Sequence, residues 1–188
     1  MSTSPTDVAA AAQALAASLL ASAVDPADGI RLLAQLASFQ PNQVTSSSVV
    51  GMSMATMQSA CGDVFRRAAV VALCRAASTY QPASTVDAAN VRSTITQLLD
   101  QEILIAGNQG EDNTFNALRA LRAAVVQDLQ TRAAGLPGVM TVNTAGPLPA
   151  PTLAQRLYGD PTRADELVTE SGAPHPAFLP PGFKALSS

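Results

Sequence analysis

Pro151-Thr-Leu-Ala-Gln-Arg-Leu-Tyr-Gly-Asp-Pro-Thr-Arg-Ala-Asp-Glu-Leu-Val-Thr-Glu-Ser-Gly172 reads as two short helices separated by a sharp stop. Leu153 to Tyr158 forms the first, ended by Gly159. Asp160 caps the next, with Pro161 at its first helical position, where proline gives up only an amide that has no helical partner anyway. This second helix runs to about Glu170 and ends near Gly172, since glycine takes the left-handed conformation that closes a helix. Upstream, Gly138-Val-Met-Thr-Val-Asn-Thr144 alternates like a strand between glycines. Downstream, a proline-rich turn through Pro174-His-Pro176 delivers a last apolar segment, Phe183 to Leu186. The predicted order is strand, helix, helix, strand.

Moving outward toward the N-terminus, Gly135-Leu-Pro-Gly138 is a firm helix stop. Before it a helix is predicted from Asp112 to Ala134, with Phe115, Leu118, Leu121, Val125 and Leu129 along one side. Ser84-Thr-Val-Asp87 opens another, whose stripe of Val91, Ile95, Leu98, Glu102 and Ile105 is apolar except at Glu102. The longest helix runs from about Ser47 to Tyr80. In it Val50, Met54, Met57, Cys61, Val64, Ala68 and Val71 recur at alternating steps of four and three, an a/d-type seam expected to be buried. The methionines there read as core filling, and Gly51 and Gly62 permit a bend or a close approach. Two helices precede it. Asp25-Pro26 starts one that reaches about Ser38, facing inward through Ile30, Leu33, Leu36 and Ala37. The first spans about Asp7 to Ala23, with Leu15, Leu19 and Leu20 and the surrounding alanines expected on its buried side.

Short loops between successive helices favour antiparallel neighbours. The expected fold class is therefore mainly α: an antiparallel helical bundle over residues 1–135, a linker with the first strand over 136–150, and a small α+β unit of βααβ order over 151–188.

Composition narrows the function classes. Of the chain, 47% is hydrophobic but only 4% aromatic, and much of the apolar content is alanine, which buries little area per residue. The core should be thin, with part of the burial completed by neighbours. A net charge of −3 exerts no pull on phosphate backbones, so nucleic acid is not an expected partner. Cys61 and Cys74 lie thirteen positions apart on one helix, about 20 Å, too far for a disulfide. They read as small core residues of a protein made in a reducing cytoplasm. With one histidine and no Cys-x-x-Cys, no metal site is expected. Met1 to Ala23 has no basic residue and carries Asp7 where a signal peptide needs positive charge, so a secretory signal is not expected. Arg66, Arg67 and Arg75 bracket the most apolar run, and no membrane span is expected.

The inventory for chemistry is poor. Asp165 and Glu166 are adjacent and point to different sides of a helix, where the dipole favours acids in the first turn. Asp100 with Glu102, and Glu111 with Asp112, read as helix-end or surface pairs. His175, between two prolines, has no nucleophile or carboxylate placed around it. Nucleotide-binding glycine loops and hydrolase elbows do not occur. Arg119, Arg122 and Arg132 form the one basic cluster, balanced by Glu111, Asp112 and Asp128. Neither an enzyme nor a cofactor is expected.

Leu-x-x-Arg-Leu-Tyr-Gly-Asp-Pro-x-Arg-x-Asp-Glu-Leu, followed by His-Pro-x-Phe-x-Pro-x-Gly, resembles the LysM-like C-terminal end of the Mu-like phage DNA circularisation protein family. Val86-Asp-Ala-Ala-Asn-Val-Arg92, Leu99-Asp-Gln-Glu102 and Ala117 to Leu129 are similar to the helical region before that end. The resemblance implies a structural component of a contractile tail, at the baseplate or hub, in several copies beside other tail proteins. It implies a virion location after synthesis in the host bacterial cytoplasm. It also makes Arg156, Tyr158, Asp160, Arg163, His175 and Phe178 the candidate partner contacts, with the His175-Pro176 pair in the turn before the last strand. The separate N-terminal domain of the family has no counterpart in residues 1–43, which counts against the alternative of a DNA-end binding or circularising factor. Another alternative, a peptidoglycan binder, follows from LysM units elsewhere; here Pro147-Leu-Pro-Ala-Pro151 replaces the Gly-Asp-Thr approach usual in sugar binders.

Overall fold

The computed structural model describes residues 4–42 and 45–187. It is mainly helical, 70% helix in seven helices, with a small two-stranded antiparallel sheet. The helices are α1 (Pro5–Ser22), α2 (Pro26–Ala37), α3 (Val49–Thr79), α4 (Thr85–Asn108), α5 (Asp112–Ala133), α6 (Ala150–Tyr158) and α7 (Ala164–Ser171). Strands β1 (Val139–Asn143) and β2 (Gly182–Leu186) pair with each other. No described helix is long and apolar enough to cross a membrane.

Start signals act where the sequence puts them. The Ser4 hydroxyl accepts from the Asp7 amide while the Asp7 carboxylate accepts from the Ser4 amide, a reciprocal cap for α1. Asp25 accepts from the Ala27 amide at 2.8 Å to start α2, and Ser48 from the Gly51 amide at 3.0 Å to start α3. Ser84 accepts from the Asp87 amide at 3.1 Å at the head of α4.

The chain divides into two compact units, Met1–Gln81 with Asn90–Thr131, and Pro82–Ala89 with Arg132–Ser188. The first is built on α3, against which α1 and α2 pack. Its core joins Ile30, Leu33 and Ala37 of α2 to Ala69, Val70 and Leu73 of α3, Ile95 and Leu99 of α4, and Leu118 and Leu129 of α5. The inward faces predicted for α2, α4 and α5 are the observed ones. That of α3 is not, and that of α1 is met in part. On α1 Ala12 and Ala16 are fully covered and Leu19 and Leu20 pack half-buried on the core, while Leu15 is exposed; a bare methyl lets two helix backbones approach where leucine would hold them apart. On α3 the buried line passes through Gly62, Asp63, Ala69, Val70, Leu73, Ala76 and Ala77, adjacent to the predicted seam. Gly62 sits on this line because Pro41 crosses it: a Cβ there would stand 2.8 Å from the proline Cδ. The methionines expected in the core, Met52, Met54 and Met57, are all exposed.

Cys74 is buried as expected, whereas Cys61 is exposed and not a core residue. Burial pushes the Cys74 thiol up to about 12, since desolvation disfavours the thiolate. A thiol reagent is therefore expected to modify one cysteine per native chain, Cys61, and to reach Cys74 only after unfolding. Mass spectrometry of the labelled peptides checks this.

In the second unit Met140 and Val142 of β1 and Phe183 and Ala185 of β2 pack with Leu153 and Ala154 of α6, Leu167 of α7 and Leu179. The register Met140↔Ala185 and Val142↔Phe183 puts these residues on one sheet face, as the two-residue period requires. Gly159 and Gly172 close their helices at φ 72° and 62°. Helix α6 begins earlier than predicted, at Ala150, because a first-turn proline already holds helical φ. The Asp160-capped segment opens as a single 3-10 turn, Pro161–Arg163, before α7. Residues 82–89 belong to this unit, where the Thr85 amide donates to the Pro137 carbonyl at 3.0 Å.

Candidate functional site

Two arrangements of polar groups stand out, one in each unit. In the second, the end of α6, the 3-10 turn and the start of α7 bring Tyr158, Asp160 and Arg163 together. The Arg163 guanidinium lies 3.7 Å from the Tyr158 ring centroid and forks onto Glu166, with Nε donating to Oε2 at 2.9 Å and Nη2 to Oε1 at 2.6 Å. That pairing raises the Arg163 pKa further. The Tyr158 hydroxyl donates to the Leu186 carbonyl at 2.9 Å, tying α6 to the end of β2. Asp160 accepts from the Thr162 amide at 2.9 Å and hydroxyl at 2.7 Å, and these bonds hold its carboxyl below the usual range.

The remaining sequence candidates, Arg156, His175 and Phe178, are exposed. Arg156 is exposed in the last turn of α6, where a cation suits the carbonyl end of the dipole. His175 is exposed, its Nδ1 accepting from the Ala177 amide at 3.1 Å. Its ring lies 6.0 Å from that of Phe178, which is 69% exposed. The candidates thus separate by role: Tyr158, Asp160 and Arg163 hold their own unit together, while Arg156, His175 and Phe178 face outward.

Partial burial of Tyr158, followed by the nearby Glu166 carboxylate, pushes its phenol above the ordinary 10.0. The neutral phenol is thus favoured in the fold. Its stabilising contribution is complete below the unfolded value and is lost as pH rises from there through the higher folded value. Wild type is expected to lose stability above about pH 10 more steeply than Tyr158→Phe, which also gives up roughly 1 kcal/mol at neutral pH with the hydrogen bond. Denaturant midpoints across that pH range check both.

The first unit holds a buried ionic network that the sequence reading missed. Glu102 is 1% exposed, although its place beside Asp100 read as a surface pair. Arg66 Nε donates to Glu102 Oε1 at 2.6 Å, and Arg66 also bonds Asp63 and, through Nη1 at 3.2 Å, the Phe39 carbonyl. Arg67 reaches Glu111 Oε2 at 2.7 Å and Gln109 Oε1 at 2.8 Å, while Gln109 Nε2 donates to Asp63 Oδ2 at 2.7 Å. One buried edge is imperfect: Arg67 Nε and Glu102 Oε2 face each other at 3.7 Å, with no closer partner. The signal was present in the stripe of α4, since a carboxylate on an inward face needs a cation and adjacent arginines sat on the longest helix. Asp100, by contrast, is the surface residue expected, paired with Arg122 at 2.6 and 3.1 Å. Arg119 lies 5.5 Å from the Phe115 ring.

These charges neutralise one another and fix how α3 and α4 meet the turn before α5. A cavity of about 460 Å³ lies against the network, lined by Gln40, Arg66, Gln101 and Glu102 among others. No protein-family model matches the chain, and no curated protein matches its sequence.

Proposed function

We propose that the chain is a structural component of a Mu-like contractile phage tail, placed at the baseplate or hub and acting through protein contacts in virion assembly. In this reading the first unit is an antiparallel helical bundle. The second is a LysM-like adaptor that docks on a neighbouring tail protein through Arg156, His175 and Phe178. Its partners are other tail proteins, several copies enter each particle, and it performs no catalysis. The observation that carries the reading is the distribution of polarity. The arginine and acid side chains converge on one another, as in Arg66–Glu102 and Arg163–Glu166, while apolar side chains such as Val49, Met52, Met57 and Phe178 are left in solvent. Exposed large apolar residues beside self-neutralised charges favour a protein surface over a reaction centre. The sequence resemblance in residues 151–183 supplies the setting. Purified tails should contain the chain, and particles assembled without it should lack a functional baseplate. Infectious particles formed in its absence would dispose of the reading.

A further inference from the structure

The sheet of the second unit has two edges, and they are treated differently. The Ser187 amide donates to the Gly138 carbonyl at 2.8 Å and the Thr144 amide to the Pro181 carbonyl at 2.7 Å. In the register Met140↔Ala185 and Val142↔Phe183, the even-numbered residues of β1 therefore bond to β2. The amides and carbonyls of Val139, Thr141 and Asn143 point away from it. Among the described residues none of these outward groups has a hydrogen-bond partner. On β2, by contrast, the outward Leu186 carbonyl takes the Tyr158 hydroxyl, and Lys184 sits at the middle of the strand. Natural sheets blunt a free edge with lysine, proline or a bulge. β1 has none of these: it reads Val-Met-Thr-Val-Asn, its register is unbroken, and the chain holds no charged residue between Arg132 and Arg156.

We propose that β1 pairs with β1 of a second copy, antiparallel about a two-fold axis through Thr141, to make one four-stranded sheet. The groups on the edge decide what fits. A row of unpaired amides and carbonyls takes another extended segment, whose side chains alternate between the two sheet faces. The inward residues of that segment must be apolar, since they extend the layer of Met140 and Val142, which are half-buried and pack on the core of the unit. β1 reversed on itself meets both needs. With Thr141 opposite Thr141, Val139 stands opposite Asn143, and these pairs exchange about six backbone bonds. Met140 then faces Val142 of the other copy in a close, non-hydrogen-bonded pair on the inward side, twice over, as two-fold symmetry demands. On the outward side two threonines meet at the axis, a favourable cross-strand pair. Every other two-fold register leaves part of the strand unpaired. With no charge on or beside the strand, nothing repels the copy. The pairing goes beyond the tail reading and does not depend on it.

Hydrogen exchange of the full chain, resolved by residue and run over a concentration series beside sedimentation, tests it. A dimer is expected in which the amides of Val139, Thr141 and Asn143 slow at least tenfold relative to dilute protein. Thr141→Pro removes one outward amide and leaves the bonds to β2 in place. It should weaken the dimer at least tenfold while the Met140 and Val142 amides keep their protection. In a Cys61→Ser background, Thr141→Cys should be linked by diamide, because hydrogen-bonded partners lie about 5.5 Å apart, within disulfide reach. Val139→Cys should not be linked, since the two copies of residue 139 would stand about 13 Å apart. A monomer at every concentration would overturn the pairing. So would a dimer whose three outward amides exchange as fast as in dilute protein, or one that Val139→Cys links as readily as Thr141→Cys. Should Thr141→Pro unfold the sheet, the two cysteine variants decide.

Discussion

Replacing Glu102 with alanine is expected to lower the free energy of unfolding by about 3–5 kcal/mol, the usual cost of removing one partner from a buried ion pair. Arg66, whose side chain is only 12% exposed, would keep Asp63 but lose its 2.6 Å bond, and Arg67 would lose its nearest buried carboxylate. Arg66 would then depend on Asp63 alone, and Arg67 on Glu111 and Gln109 at the outer edge of the network. Glu102→Gln tests charge separately from shape, because it retains an acceptor for Arg66 and should cost less than alanine. Asp100→Ala removes an acid two residues away whose partner, Arg122, is in solvent; exposed pairs contribute little, so its midpoint should barely move. Urea denaturation followed at the helical circular dichroism band measures all three. Equal losses at positions 100 and 102 would show that the buried network does not hold α3 against α4.

That contrast also marks where the sequence was legible. Short polar signals act through bonds within a few residues, so Asp25 caps α2 and Asp160 caps the turn that leads into α7, as expected. A glycine needing positive φ is equally local, hence the agreement at Gly159 and Gly172. The two-residue period set the sheet face for the same reason. Which side of a helix turns inward is not local, and in this alanine-rich chain it was ambiguous. On α2, α4 and α5 large residues occupy a single stripe and leave one solution. On α1 Ala12, Ala16, Leu19 and Leu20 share the inward face at helical spacing, and only Leu15 falls outside it. On α3 the regular row from Val50 to Val71 was a stronger pattern than the row through Gly62, Ala69 and Leu73, yet the second is buried. What decides between them is the set of long-range partners of α3: Pro41 over Gly62, and Glu102 drawing in Arg66. The outward candidates followed a similar rule, since nothing within a short motif distinguishes an arginine that stacks on its own tyrosine, Arg163, from one left in solvent, Arg156.

Leu167→Ala should produce the other large effect, in the second unit. Leu167 is fully buried at the centre of a cluster in which the large members are Leu153, Leu179 and Phe183. Truncating a buried leucine costs roughly 2–5 kcal/mol, with the larger values where the surroundings cannot collapse into the space. Collapse is restricted here on two sides. The sheet register fixes Phe183 opposite Val142, and the Tyr158 bond to Leu186 pins α6 to the strand end. The loss should therefore fall toward the upper part of that range. Hydrogen exchange reads it locally: amide protection across β1 and β2 should drop by about thirty-fold to several thousand-fold, at 1.4 kcal/mol per factor of ten. Val168→Ala, a half-buried neighbour at the edge of the same cluster, should cost much less. If the two substitutions changed strand protection equally, Leu167 would not be what seats α7 on the sheet, and the second unit would owe its order to its turns and caps instead.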